Sequence, residues 1–138
     1  MLVKELIPQI DAQFRTLADQ PHRALAGLSM GGMEVKTIGL RNLDTFSHIG
    51  FFSGGAISPE DLTDPAAFKA KNKLVFVSFG SRELGSDRPR WGPDPKVATD
   101  ALAATGVTTH FYVSPDTAHE WQSWRRSLRE FAPLLFKY

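Results

Sequence analysis

Apolar residues along this chain alternate between short continuous runs and stripes of helical spacing. Leu2, Leu6, Ile10 and Phe14 recur every four residues, with Val3, Ile7 and Leu17 beside them. That period predicts an amphipathic helix over residues 2–18. Pro8 must then lie near its first turn or cost it a hydrogen bond. Residues 23–28 read as a short buried strand, and a second helix runs over 30–41. Residues 46–52 and 73–79 are two further apolar strands, the latter the clearest. Between them, residues 53–72 are rich in Gly, Ser, Pro and Asp, and read as a loop with one helical turn near 65–71. Residues 80–95 form a second polar loop rich in proline. A helix over 95–105 stops at Gly106 as its C-terminal cap, and residues 108–113 alternate as a fourth strand. The last helix spans 119–136. Trp121, Trp124, Leu128, Phe131 and Leu135 form one expected buried stripe, and Thr117 to Glu120 has the form of a capping box.

Strands alternating with helices imply an α/β fold with a mostly parallel four-stranded sheet and flanking helices. Ligands in such sheets bind beyond the carboxyl ends of the strands. The length, 138 residues, is that of one domain covering 1–138. Lys and Arg number 16 against 15 Asp and Glu, a net charge of +1. That balance argues against binding nucleic acid or an anionic membrane by bulk charge. The absence of cysteine excludes a disulfide scaffold, a thiolate nucleophile and a Cys-ligated metal. No apolar run exceeds four residues, whereas a membrane span needs about twenty. Lys4 and Glu5 stand where a signal peptide needs its apolar stretch. A cytoplasmic protein is expected.

The chemistry centres on Gly27-Leu28-Ser29-Met30-Gly31, a G-x-S-x-G pattern between a predicted strand and a predicted helix. In a nucleophile elbow the turn is so tight that side chains two residues either side of the serine would collide. Gly27 and Gly31 are therefore expected to be required. The corner lifts the Ser29 hydroxyl clear of the sheet and aims the Met30 amide where a carbonyl would develop negative charge. The bland reading makes Ser29 a helix cap. A serine needs a base. His110 lies inside a strand, His22 just before one, and His48 precedes an apolar run without an acid nearby. His119 lies directly after the last strand, where a base can reach over the strand ends. Two carboxylates follow the third strand and could orient it, Glu83 and Asp87, with Glu83 nearer the strand end. Asp116 stands too near His119 in sequence and reads as a turn residue. Phe51, Phe52 and Trp91 could line an acyl or phenolic pocket, or belong to the core; Trp91, in the polar loop, is the best of them.

Residues 22–33, His-Arg-Ala-Leu-Ala-Gly-Leu-Ser-Met-Gly-Gly-Met, resemble the nucleophile segment of the esterase D-like branch of the α/β-hydrolases, which includes bacterial feruloyl esterases. Phe52-Ser53-Gly54 is similar to that family's segment after the next strand. Gly80-Ser81-Arg82-Glu83 falls where the family has a glycine-led turn ending in its acid, and His119-Glu120-Trp121 resembles its histidine segment. The resemblance implies a cofactor-free serine esterase with Ser29 as nucleophile, His119 as base, Glu83 as acid and Met30 in the oxyanion hole. Feruloyl and acetyl-sugar esters become candidate substrates. An acid of Glu rather than Asp departs from the family's habit.

A larger departure is that the family's earlier strands, which carry a second oxyanion donor, have no counterpart here. Loss of one such donor costs about 10²–10³ in rate. The strand at 23–28 is then expected at a sheet edge, where it would pair with a second copy in a homodimer. Two other readings compete. One is a catalytically silent hydrolase fragment acting as a dimeric scaffold or binding module. The other, a nucleotide-binding half-domain, is weak, because the glycines lack the G-x-G-x-x-G spacing and a P-loop lysine.

Overall fold

A computed structural model describes residues 1–85 and 92–137. Four strands form one sheet in the order β1 (Ala24–Leu28), β2 (His48–Phe52), β3 (Leu74–Gly80) and β4 (Thr109–Ser114). All neighbours are parallel, as the alternation of strands and helices implies. β3 is buried along nearly its whole length. That follows from a parallel strand covered on both faces, which needs apolar residues at successive positions.

Side chains leave a strand alternately to its two faces, and the core divides accordingly. On one face Ile49, Phe51, Val75 and Val77 pack with Val35, Phe68 and Leu102. These three come from helices α2 (Met30–Arg41), α3 (Pro65–Lys71) and α5 (Pro95–Ala104). On the other face Phe52, Leu74 and Phe76 pack with Phe131 of α6 (Trp121–Phe131). A short helix α4 (Ser81–Leu84) occupies the start of the expected polar loop. Asp87 and Trp91, proposed from sequence as alternative acid and pocket wall, lie outside the described residues.

Three expectations about helices are corrected. The N-terminal helix is shorter than 2–18. A π-helical turn at Leu2–Leu6 leads into α1 (Ile7–Gln13), and Phe14 is already extended. Pro8 cannot donate a backbone hydrogen bond and is tolerated only at the start of the α-helical segment, which is where it stands. Nothing in α1 is buried.

The last helix does not bury its large residues as one stripe. Trp121 is 69% exposed and Leu128 55%, while Ser123, Ser127 and Phe131 are buried. Small serines let the helix backbone approach the sheet closely, and the rings are turned aside. The capping box is also absent. Glu120 is the N-cap residue. The Thr117 hydroxyl donates instead to the Ser114 carbonyl, and Glu120 Oε1 accepts from the Ala118 amide. Residues 115–120 thus make a compact turn rather than a first helical turn.

His48, first residue of β2, is 2% exposed. Its Nε2 accepts from the Phe136 amide at 3.4 Å and its Nδ1 meets the Ser47 hydroxyl at 2.7 Å. Burial, reinforced by the Lys73 ammonium, holds its pKa below the ordinary 6.5. The fold therefore prefers the neutral ring, while the unfolded chain takes up a proton near the ordinary value. This contribution to stability is complete above about pH 6.5 and is lost as the pH falls toward the depressed folded value. Unfolding free energy measured in urea should drop over that window, and His48→Gln should flatten the drop. An unchanged slope in the variant would remove His48 as its origin.

Candidate active site

The in-register parallel sheet sets Leu28 beside Phe52, Phe52 beside Ser78, and Gly80 beside Ser114. The carboxyl ends of four strands therefore open onto one edge. Ser29 follows β1, Ser53 follows β2, Glu83 lies in α4 after β3, and His119 lies in the turn after β4.

Ser29 has φ 53° and ψ −125°, a backbone conformation that L-residues rarely adopt. Its amide donates to the Phe52 carbonyl at 2.9 Å, and its carbonyl accepts from Gly32 at 3.0 Å. The corner is thus tied on both sides. A Cβ on Gly27 would overlap the Gly31 carbonyl and stand 2.8 Å from Val35 Cγ2. Gly27 is sterically required, as the sequence pattern implies. Gly31 is not: a Cβ there would meet nothing within 4 Å. Gly31 contributes the backbone against which Gly27 packs. The second tight contact lies one residue on, where Gly32 and Gly54 touch backbone to backbone, a Cβ on Gly54 standing 2.8 Å from Gly32 Cα.

The Ser29 hydroxyl lies 2.8 Å from His119 Nε2, and His119 Nδ1 lies 2.7 Å from Glu83 Oε1. Ninety residues separate the serine from the histidine. An ionised carboxylate only accepts hydrogen bonds. His119 therefore carries its proton on Nδ1, and Nε2 accepts from the Ser29 hydroxyl. The imidazole is 40% exposed and the Glu83 carboxylate 13%. The ring also stands edge-on to Trp124, with centroids 5.1 Å apart.

Glu83 is the third residue of α4, and its Oε2 accepts from the Gly80 amide at 2.7 Å. One oxygen thus caps its own helix while the other faces the histidine. The Thr117 carbonyl accepts from the Arg82 amide at 3.0 Å, fastening the histidine turn to the same helix. This close passage needs Gly80, where a Cβ would stand 2.8 Å from the Ala118 carbonyl oxygen.

Of the other sequence candidates, Met30 is the first residue of α2, with its side chain 69% exposed. Phe52 is not a pocket residue. It is 7% exposed and packs edge-to-face on Phe76 and Phe131, because its place in the strand's alternation points it into the second core. Phe51 is fully buried in the first. His22 sits in a 3-10 turn, in contact with Asp19, and His110 stacks on Phe76. Ser53 enters the sequence reading only within the resembling Phe52-Ser53-Gly54 segment, with no role of its own; its hydroxyl donates to Glu83 Oε2 at 2.7 Å and accepts from Trp124 Nε1 at 3.1 Å. The signal was its position directly after an apolar strand, as for Ser29.

Among the described residues no group of three or more His, Asp or Glu is arranged to hold a metal ion. Likewise, no helix is long and apolar enough to cross a membrane.

Comparison with known proteins agrees with this architecture. The family model described as "Putative esterase" matches residues 1–135. An endo-1,4-beta-xylanase/feruloyl esterase of Xylanibacter ruminicola is 44% identical over 137 residues, which are 99% of this chain and 17% of that protein. A ferulic acid esterase from Anaeromyces mucronatus, solved with ferulic acid, superposes with a TM-score of 0.74 at 20% identity, over 98% of this chain and 52% of that one. A fluorophosphonate-binding serine hydrolase of Staphylococcus aureus gives 0.72 at 13% identity, over 99% and 63%. The chain thus spans about half the length of the solved structures it resembles, and they share its fold. By the family model's match over residues 1–135 and its four-stranded parallel α/β sheet, the chain belongs to this esterase family.

Proposed function

We propose that this chain carries the catalytic residues of a serine carboxylesterase. The observation that carries this reading is the continuous hydrogen-bonded path from Ser29 through His119 to Glu83, with steps of 2.8 and 2.7 Å. Ser29 Oγ attacks the ester carbonyl while His119 Nε2 takes its proton. The carbonyl oxygen becomes an oxyanion facing the Met30 amide at the start of α2, where helix and amide favour negative charge. The tetrahedral intermediate collapses, and His119 returns its proton to the departing alkoxide. An acyl group remains on Ser29. Water then attacks it, giving its proton to the same imidazole, and the acid leaves as Ser29 recovers its hydrogen. Glu83 keeps the proton on Nδ1 and stabilises the imidazolium formed in each half-reaction. No step calls for a metal or organic cofactor.

Met30 and Trp121, both 69% exposed, flank the serine and the histidine in sequence with apolar surface. An aromatic acyl group such as a feruloyl ester suits that surface. The named activities of the Xylanibacter and Anaeromyces relatives support the same class. Turnover of p-nitrophenyl acetate and methyl ferulate by the wild type, Ser29→Ala, His119→Ala and Glu83→Ala tests the reading. Ser29→Ala and His119→Ala should each lower kcat by about 10³-fold or more, and Glu83→Ala by somewhat less. Equal turnover by the wild type and Ser29→Ala would overturn it.

We also propose that β1 pairs with a second copy. Among the described residues β1 has β2 on one side only, and an edge strand presents backbone groups that template another strand. Exposed Leu6, Ile10, Phe14 and Leu17 precede it in sequence and offer apolar surface to the same partner. Light scattering at micromolar concentration should give twice the 15.3 kDa of one chain. A single-chain mass would contradict this pairing.

A further inference from the structure

Two of the four non-glycine residues with positive φ among those described are Ser29 and Ser53, at 53° and 54°. Each directly follows a parallel strand, and each points a hydroxyl into the same hydrogen-bonded path. Strain of this kind costs on the order of 1–3 kcal/mol and persists where the surroundings over-determine it. At Ser53 three contacts do so. Its amide donates to the Ser78 carbonyl at 2.7 Å. Its hydroxyl meets Glu83 Oε2 at 2.7 Å and Trp124 Nε1 at 3.1 Å. The residue is 9% exposed.

The direction of these bonds is fixed by chemistry. An indole N–H can only donate and an ionised carboxylate can only accept. The Ser53 oxygen must therefore receive the Trp124 proton and give its own to Glu83. With the Gly80 amide, also 2.7 Å away, Oε2 has two donors. Two donors on one oxygen fix the rotation of the carboxylate, and Oε1 is left aimed at His119 Nδ1. Trp124 closes the circuit, because the ring that donates to Ser53 also stands edge-on against His119.

We propose that Ser53 is a positioning residue for the esterase reaction: it locks the Glu83 carboxylate in the rotamer that orients His119, and Trp124 sets the direction in which its hydroxyl donates. Ser53 touches neither substrate nor the reacting atoms and acts only through Glu83. This also accounts for an acid of Glu rather than Asp. The side chain must reach back to the Gly80 amide and across to Ser53 with one oxygen while presenting the other to the histidine, and α4 begins only after the strand has ended.

The inference rests on the esterase reading, and a double-mutant cycle separates the two. Rates with p-nitrophenyl acetate are measured for the wild type, Ser53→Ala, Glu83→Ala and the double variant, with Ser29→Ala as the blank. Ser53→Ala should lower kcat about tenfold and leave KM within about twofold, because the loss falls on the orientation of His119 during the chemical step and not on substrate binding. In the Glu83→Ala background the same change should have no further effect, because the group it holds is gone. Trp124→Phe keeps a ring against His119 and removes the N–H; it should lower kcat about threefold and likewise lose its effect without Glu83. It also supplies the cycle should Ser53→Ala fail to fold by circular dichroism. A wild-type kcat in Ser53→Ala, or an equal loss with and without Glu83, would overturn the positioning role and leave the esterase reading intact. Activity surviving in Ser29→Ala would instead overturn the esterase reading itself.

Discussion

The structure depends on one strained corner. Ser29 holds a left-handed backbone conformation that an L-residue accepts only under constraint. The constraint comes from both directions along the chain. Upstream, Gly27 lies flat against the Gly31 carbonyl and Val35; downstream, Gly32 and Gly54 touch backbone to backbone. These contacts let β1 turn into α2 without a loop, so the hydroxyl stands on the sheet edge and at the positive end of a twelve-residue helix. A wider turn would move the serine away from the histidine and dissolve the hydrogen-bonded path.

The parallel sheet does the remaining assembly. Groups from positions 29, 53, 83 and 119 are distant in sequence, yet strands of matched register end at one edge and deliver one group each. The path is polarised throughout, from Trp124 to Ser53 to Glu83, and from Ser29 and His119 toward the same carboxylate. Three donors, the Ser53 hydroxyl, the Gly80 amide and His119 Nδ1, are aimed at Glu83. A single anion thus organises both its own helix and the ring that Ser29 addresses, and the Ser53 hydroxyl is held between its two partners.

Much of this was legible in the sequence because it rests on local rules. The four strands announce themselves as short apolar runs, and the corner as glycines around a serine. His119 and Glu83 stand out by lying just past strand ends. What escaped depends on close packing that no local pattern encodes. Ser123 and Ser127 face the sheet because the helix approaches it closely, so the exposed Trp121 and Leu128 mislead any reading by hydrophobicity. Phe52 reads as a pocket candidate until the strand's alternation places it against Phe76 and Phe131. Gly31 and Gly32 are indistinguishable as letters, yet a Cβ on Gly32 would overlap the Gly54 backbone while one on Gly31 would meet nothing within 4 Å. Thr117 and Glu120 fit a capping box in sequence, but their side chains stabilise the turn that carries His119. Ser53 looked ordinary because its partners, Glu83 and Trp124, lie 30 and 71 residues away.

The central claim is that this corner makes one particular hydroxyl nucleophilic. Intact-mass and peptide mass spectrometry after treatment with a fluorophosphonate tests it most directly. A single adduct per chain on the peptide bearing Ser29, abolished in His119→Ala while the fold persists, is the predicted result. An unmodified chain, or an adduct on any other residue, would contradict it.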